Sequence, residues 1–206
     1  IRFTTSESAC ASRREGDPEA SSLAAALPSR PRAASSRPGG GESRDINHLA
    51  PAWKDEVVIP RYFIVAERDH EIQNPTSTEK LLDLGRRLRL DSESRVLDIA
   101  SGRGGPAILL AREFGCRVDG IEIAPEFHTA AVERARAAGL ERLVSSRLDD
   151  ASQVELVQES YDVAMCFGAS FVWGNLAGTL DALEPVVRPG GHVVVGEPFW
   201  RRLPVP

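Results

Sequence analysis

The chain is organised around the stretch Val96-Leu97-Asp98-Ile99-Ala100-Ser101-Gly102-Arg103-Gly104-Gly105-Pro106-Ala107. An apolar run carries a carboxylate, Asp98, near its end, and a glycine-rich turn and Pro106 follow; proline suits the first turn of a helix. Glycine has no Cβ, so the backbone of such a turn can approach a ligand closely. The free N–H groups of a helix start favour polar or anionic groups. This pattern predicts a nucleoside-type ligand site at the carboxyl end of a first parallel strand.

Strand and helix patterns alternate along the chain from about residue 53. Apolar runs predict strands at 94–99, 116–122, 143–148, 161–167 and 191–197. Helical spacing with capping residues predicts helices at 77–90, 105–115, 125–138, 152–158 and 175–187. Strands that alternate with helices of this length form a parallel sheet with right-handed crossovers. We therefore predict an α/β fold.

The composition is that of an ordinary globular protein. With 206 residues, 42% hydrophobic and 27% charged, the chain can bury one substantial core. The net charge of −5 gives no reason to expect nucleic acid or an anionic membrane as a partner. No apolar run approaches the roughly 20 residues that span a bilayer. The cysteines lack metal-ligand spacing, and Cys116 and Cys166 fall in predicted strands, which favours buried thiols in a reducing cytoplasm and no metal site.

The first 45 residues have a different character. They are rich in Ser, Ala, Arg, Pro and Gly, a composition that cannot bury enough apolar surface to offset chain entropy. We expect 1–45 to be a disordered or non-native segment, 46–92 a helical or lid segment, and 93–206 the ligand-binding domain, incomplete at its carboxyl end. Because the chain starts at Ile1 and stops just after a predicted strand, we expect a fragment in which strand 191–197 is an uncovered edge.

Carboxylates follow the ends of three predicted strands. Asp98 lies at the end of the first, Glu122 at the end of the second, and the pair Asp149-Asp150 follows the third. In an open parallel sheet these ends converge on one crevice. A pyrophosphate is repelled by carboxylates there, whereas a sulfonium cation is attracted. These carboxylates favour a cationic, phosphate-free cofactor. The alternative is a dinucleotide, because Gly102-x-Gly104-x-x-Ala107 also satisfies the dinucleotide-binding fingerprint, in which Glu122 would bind the ribose.

These residues resemble the class I S-adenosylmethionine-dependent methyltransferases over residues 71–198. Asp98-Ile99-Ala100-Ser101-Gly102-Arg103-Gly104 is similar to the family's glycine-rich motif, with Ala100 in place of its usual first glycine. That difference suggests that the position needs no positive φ. Residues 161–167 and 183–198 resemble the fourth and fifth strands. The resemblance implies a Rossmann-like doubly wound, mostly parallel sheet of order 3-2-1-4-5 without the family's usual last two strands, and S-adenosylmethionine as the cofactor.

The resemblance also implies a set of cofactor contacts. Glu122 matches the acidic residue that receives the ribose hydroxyls, and Asp150-Ala151 matches the partner of the adenine amino group. A turn-and-cap role is the alternative for Asp149 and Asp150. The full set of expected cofactor-binding residues is Asp98, Ala100, Ser101, Gly102, Gly104, Glu122, Ile123, Asp150, Ala151 and Phe167.

The acceptor is expected beside the loop Phe167-Gly168-Ala169-Ser170-Phe171-Val172-Trp173. The loop lacks the Asn- or Asp-Pro-Pro-aromatic sequence and the Pro-Cys pair with which related enzymes act on nucleic-acid bases. Together with the acidic charge, this favours a small-molecule methyl acceptor. Phe171 and Trp173 are candidate substrate contacts, with core packing as the alternative, and Gln73 is a further candidate upstream.

Methyl transfer from a sulfonium depends mainly on positioning, so no catalytic residue is assigned. A nicotinamide-dependent oxidoreductase and an inactive methyltransferase fragment are the alternative functions.

Overall fold

The computed structural model of the chain describes residues 2–7, 59–74 and 76–198. Within them, six strands form one sheet in the order β1-β6-β5-β2-β3-β4. The strands are β1 (Arg2–Glu7), β2 (Arg95–Ile99), β3 (Arg117–Glu122), β4 (Val144–Leu148), β5 (Tyr161–Phe167) and β6 (Val187–Glu197). Strands β2 to β6 are parallel to one another. Counted along the chain, these parallel strands have the predicted order 3-2-1-4-5.

The antiparallel strand β1 was not expected. It pairs with residues 192–197 of β6 along its whole length, so the prediction of an uncovered edge at β6 is wrong. An edge strand presents unpaired N–H and C=O groups that another extended segment can satisfy. Phe3, Thr4 and Thr5 belong to the aromatic and β-branched types that favour strands. Residues 2–7 therefore differ from the disorder expected there, and residues 8–45 lie outside the described part.

Helices pack on both faces of the sheet. They are α1 (Arg61–Glu67), α2 (Thr78–Arg87), α3 (Gly105–Phe114), α4 (Pro125–Ala137) and α5 (Leu176–Leu183), with 3₁₀ turns at Ser170–Trp173 and Glu184–Val186. Successive side chains of a strand point to opposite faces. Accordingly, Val96 belongs to a core with Leu81 and Leu110, while Leu97 belongs to a second core with Leu183. This arrangement is the predicted doubly wound sheet.

Local sequence explains where α2, α3 and α4 begin. Pro106 and Pro125 lie in the first turns of α3 and α4, and the Ser77 hydroxyl accepts from the Lys80 N–H at the start of α2. The helix predicted at 152–158 does not form. The Asp150 carboxylate accepts from the N–H and the hydroxyl of Ser152 instead, and such local bonds compete with a helix. None of the described helices is long and apolar enough to cross a bilayer.

Candidate functional site

A cavity of about 350 Å³ opens at the carboxyl ends of the parallel strands. It lies where the strand order changes direction, between β2 and β5, which is the usual ligand position in open α/β sheets. Nearly all of the predicted cofactor residues line it: Asp98, Ala100, Ser101, Gly102, Glu122, Ile123, Asp150, Ala151 and Phe167. The candidate substrate residues Gln73 and Phe171 line it as well. The sheet topology therefore brings residues from the ends of β2, β3, β4 and β5 together.

Two predicted site residues lie outside the lining. Gly104 is the N-cap of α3, and a Cβ there would stand 3.2 Å from the Cβ of Ala131 on α4. Its place in the motif therefore serves close helix packing. Trp173 packs against the core on the α5 face, which was the stated alternative for that residue.

The turn after β2 is built from left-handed residues. Ala100, Gly102 and Gly104 have φ values of 53°, 55° and 73°. The suggestion that Ala100 needs no positive φ is therefore wrong. The chain must leave the sheet at once after Ile99, and the Ser101 N–H donates to the Ile121 carbonyl of the neighbouring strand at 3.1 Å. A left-handed alanine costs about 1–2 kcal/mol, which this tertiary contact helps to offset.

Glu122 ties the turn to β3. Its Oε2 accepts from the Gly102 N–H at 2.7 Å and its Oε1 accepts from the Ala124 N–H at 2.8 Å. The side chain is buried, and burial raises the pKa of the carboxyl while these backbone N–H groups act in the opposite direction. The carboxylate thus fixes the backbone of the glycine turn and still faces the cavity.

Asp98 is the most strongly perturbed group of the site. It is 2% exposed, and its Oδ2 has no hydrogen-bond partner within the described part of the chain. Burial, and secondarily the charge of Glu122, raises the pKa of Asp98 to about 8. The Ser101 hydroxyl, also buried, is likewise without a partner among the described residues. Buried polar atoms of this kind are unfavourable unless a ligand satisfies them, and a carboxylate suits a cationic ligand group.

Asp149 and Asp150 combine the two roles considered for them. Asp149 pairs with Arg147 at 2.6 Å and accepts from the Asp150 N–H, while Asp150 accepts from Ser152. These contacts are the turn-and-cap contacts of the alternative interpretation. Both residues nevertheless line the cavity.

Several lining residues were not found from the sequence. Phe63 on α1 and Phe127 on α4 meet edge to face with ring centroids 6.0 Å apart, and both line the cavity. Asn74 lies against Gly168, the residue that follows β5. No periodic signal links two phenylalanines so far apart in the chain. Among the described residues, no cluster of His, Cys, Asp and Glu could hold a metal ion.

Comparison with protein-family models gives a match to part of this chain. A family model described as a methyltransferase domain covers residues 96–191. Among curated proteins, the uncharacterized protein YjhP of Escherichia coli strain K12 is 38% identical over 146 residues, which are 71% of this chain and 58% of that protein. The methyltransferase GfsG of Streptomyces halstedii is 30% identical over 132 residues, 60% of this chain and 48% of that one.

Solved structures agree with these sequence matches. A SAM-dependent methyltransferase from Thiobacillus denitrificans, in complex with S-adenosyl-L-homocysteine, is 42% identical with a TM-score of 0.67, and the match covers 72% of this chain and 59% of that one. The corresponding complex of a methyltransferase from Geobacter sulfurreducens is 40% identical with a TM-score of 0.67 and coverages of 71% and 58%. The chain therefore spans less than two thirds of the length of each of these relatives.

Proposed function

Since the chain belongs to the class I S-adenosylmethionine-dependent methyltransferases, we propose that it transfers a methyl group from S-adenosylmethionine to a small-molecule acceptor. The observation that carries the proposal is the buried carboxylate of Asp98, which lines the cavity and has one oxygen without a hydrogen-bond partner among the described residues. A carboxylate in that position fits a donor that carries an ammonium and a sulfonium and no phosphate. It disfavours the pyrophosphate of a nicotinamide cofactor.

The lining residues suggest how the donor is held. Asp98 and the turn at Gly102 would bind its amino-acid end, Glu122 the ribose hydroxyls, and Asp150 the adenine amino group. Ile123 would supply an apolar contact beside them. When bound, the donor supplies an activated methyl group: the acceptor lone pair forms a bond to the methyl carbon as the carbon–sulfur bond breaks and its electron pair stays on sulfur. The residues of the chain contribute by orienting both partners and by excluding water.

The charges of the cavity bear on the acceptor. Within the described residues, every ionisable side chain that lines it is a carboxyl group: Asp98, Glu122, Asp149 and Asp150. Phe63, Phe127 and Phe171 provide aromatic wall. A polyanion such as nucleic acid, or a small acceptor with a phosphate, would meet repulsion there. The proposed acceptor is a neutral or cationic small molecule with an apolar part.

Calorimetric titration with S-adenosylhomocysteine and S-adenosylmethionine tests the donor, with NADH as the comparison ligand. We expect micromolar binding of the two S-adenosyl compounds and none of NADH. The variant Glu122→Ala should weaken that binding, whereas Asp69→Asn, which changes an exposed carboxylate outside the lining, should not. A folded chain that binds neither S-adenosyl compound would overturn the proposal.

A further inference from the structure

Two consecutive amide side chains of the segment 59–74, here called the strap, sit on two different loops of the cavity. The Gln73 Oε1 accepts from the Arg103 N–H at 2.6 Å and occupies the space where Gly102 lacks a Cβ. The Asn74 Oδ1 occupies the corresponding space at Gly168. Gly102 and Gly168 have φ values of 55° and 71°. Each glycine therefore leaves room that an amide of the strap fills.

The two loops belong to adjacent strands. Gly102 lies in the turn after β2, and Gly168 follows β5, which pairs with β2 in parallel. Gln73, Asn74 and both glycines line the same cavity. Because Gln73 and Asn74 are neighbours in the chain, the strap connects the two loops.

Guanidinium groups hold the strap in this position. Arg103 donates from Nη1 to the carbonyl oxygens of Glu67 and His70 at 3.1 and 3.3 Å. Arg134 donates to the Glu71 carbonyl at 3.3 Å and to the Arg103 carbonyl at 2.7 Å. The acceptors are backbone carbonyls, so these contacts hold the main chain of the strap. Arg103 also belongs to the glycine turn, which makes the turn and the strap one connected unit.

We propose that Gln73 and Asn74 are positioning residues that couple the donor-side turn at 100–104 to the acceptor-side loop at 167–173. Gln73 holds the turn in its donor-binding conformation. Asn74, its neighbour in the chain, packs against Gly168 and thereby restricts the loop after β5. The inference rests on the proposed function, because it takes the turn at Gly102 as the donor side. Binding of the donor then orders the acceptor side before the acceptor arrives.

The test combines calorimetry with hydrogen exchange on the full chain, using S-adenosylhomocysteine as the probe because it requires no acceptor. The variants are Gln73→Ala, Gln73→Glu and Asn74→Ala, and Asp69→Asn is the control within the strap. In the unsubstituted chain, the probe should slow amide exchange in peptides that cover 100–106 and in those that cover 167–173. Gln73→Ala leaves the part-buried Arg103 N–H without its acceptor, so the affinity should fall about five- to thirtyfold. Gln73→Glu keeps an acceptor oxygen, so it should retain most of the affinity of the unsubstituted chain for the probe.

Asn74→Ala separates coupling from a merely structural role. We expect it to keep the protection of 100–106 and to lose that of 167–173, with an unchanged melting temperature. Asp69→Asn should behave as the unsubstituted chain does. Equal probe affinity and equal protection of both loops in Gln73→Ala and Asn74→Ala would overturn the inference. If the unsubstituted chain itself does not bind the probe, the proposed function fails instead, so the two failures are distinguishable.

Discussion

The isosteric substitution Asp98→Asn should change how stability and donor binding depend on pH. In an unfolded chain an aspartate ionises near pH 4, whereas burial and the neighbouring charge of Glu122 raise the pKa of Asp98 in the folded chain to about 8. Between these two values the folded chain holds one proton more than the unfolded chain. Its free energy of unfolding therefore falls as the pH rises through this window and levels off above the folded pKa. The asparagine side chain cannot ionise, so the variant lacks this dependence.

The size of the effect follows from the same pKa. A tenfold change in an equilibrium constant corresponds to about 1.4 kcal/mol, so raising the pKa from 3.8 to about 8 limits the cost of ionised Asp98 to at most about 6 kcal/mol. Relaxation and water entry reduce such costs, so we expect Asp98→Asn to be more stable than the unsubstituted chain by about 2 kcal/mol or more at pH 8.5. The difference should shrink as the pH falls and vanish below about pH 4, where Asp98 is protonated in both the folded and the unfolded chain.

A cationic donor stabilises the ionised carboxylate of Asp98, whereas burial favours the protonated form. The affinity of the unsubstituted chain for S-adenosylmethionine should rise by about tenfold or more between pH 6 and pH 8, the range below the folded pKa. Urea unfolding at several pH values and calorimetry at the same values measure the two effects. The donor's own ionisation affects its binding to both chains equally, so the difference in affinity between the unsubstituted chain and Asp98→Asn reports Asp98 alone. Parallel pH profiles for the two chains, in stability and in affinity, would refute the reasoning.

Three further expectations concern single positions. Glu122→Ala removes both carboxylate contacts to backbone N–H groups, and calorimetry should show donor affinity at least about tenfold lower. Glu122→Gln should lose less affinity. Equal affinity of the unsubstituted chain and both variants would contradict the assigned role of Glu122. Ala100→Gly relieves a left-handed alanine and should raise the free energy of urea unfolding by about 0.5–1 kcal/mol, whereas Ala107→Gly inside α3 should lower it by about 1 kcal/mol or more. Burial raises the pKa of the Cys116 and Cys166 thiols to about 11 and 12, so iodoacetamide at pH 8 should label these two only after denaturant is added. Peptide mapping separates them from Cys10, and rapid labelling of Cys116 or Cys166 in the folded chain would count against their burial.

The predicted strand and helix positions agree closely with the structure wherever the signal is local. The strand 161–167 agrees with β5 at both ends, and the helix starts at Pro125 and near Ser77 follow from capping chemistry. The failures have tertiary or competing local causes. The Asp150 carboxylate replaced a short helix with a turn, and an unpaired sheet edge took up residues 2–7 as a strand.

In the candidate site, too, some features could be predicted from the sequence and others depend on tertiary contacts. That Asp98 and Glu122 meet in one cavity follows from the rule that parallel strand ends converge, so it could be stated from the sequence. The place of Gly104 could not, because its neighbour Ala131 lies on another helix. The same holds for the φ of Ala100, which depends on a hydrogen bond between its successor and β3.

The order of amino acids alone determined three things: the sheet, the place between β2 and β5 where the strand order changes direction, and the acidic character of the cavity. It could do so because hydrophobic periodicity, the positions of glycine and proline, and the charges at strand ends can be recognised from residues close together in the chain. Burial and long-range contact are properties of the packed molecule. Only packing decided that an oxygen of Asp98 has no partner among the described residues, and only packing brought Gln73 and Asn74 onto Gly102 and Gly168. The physical reason is that desolvation and side-chain contact depend on groups far apart in the chain, whose approach no local pattern encodes.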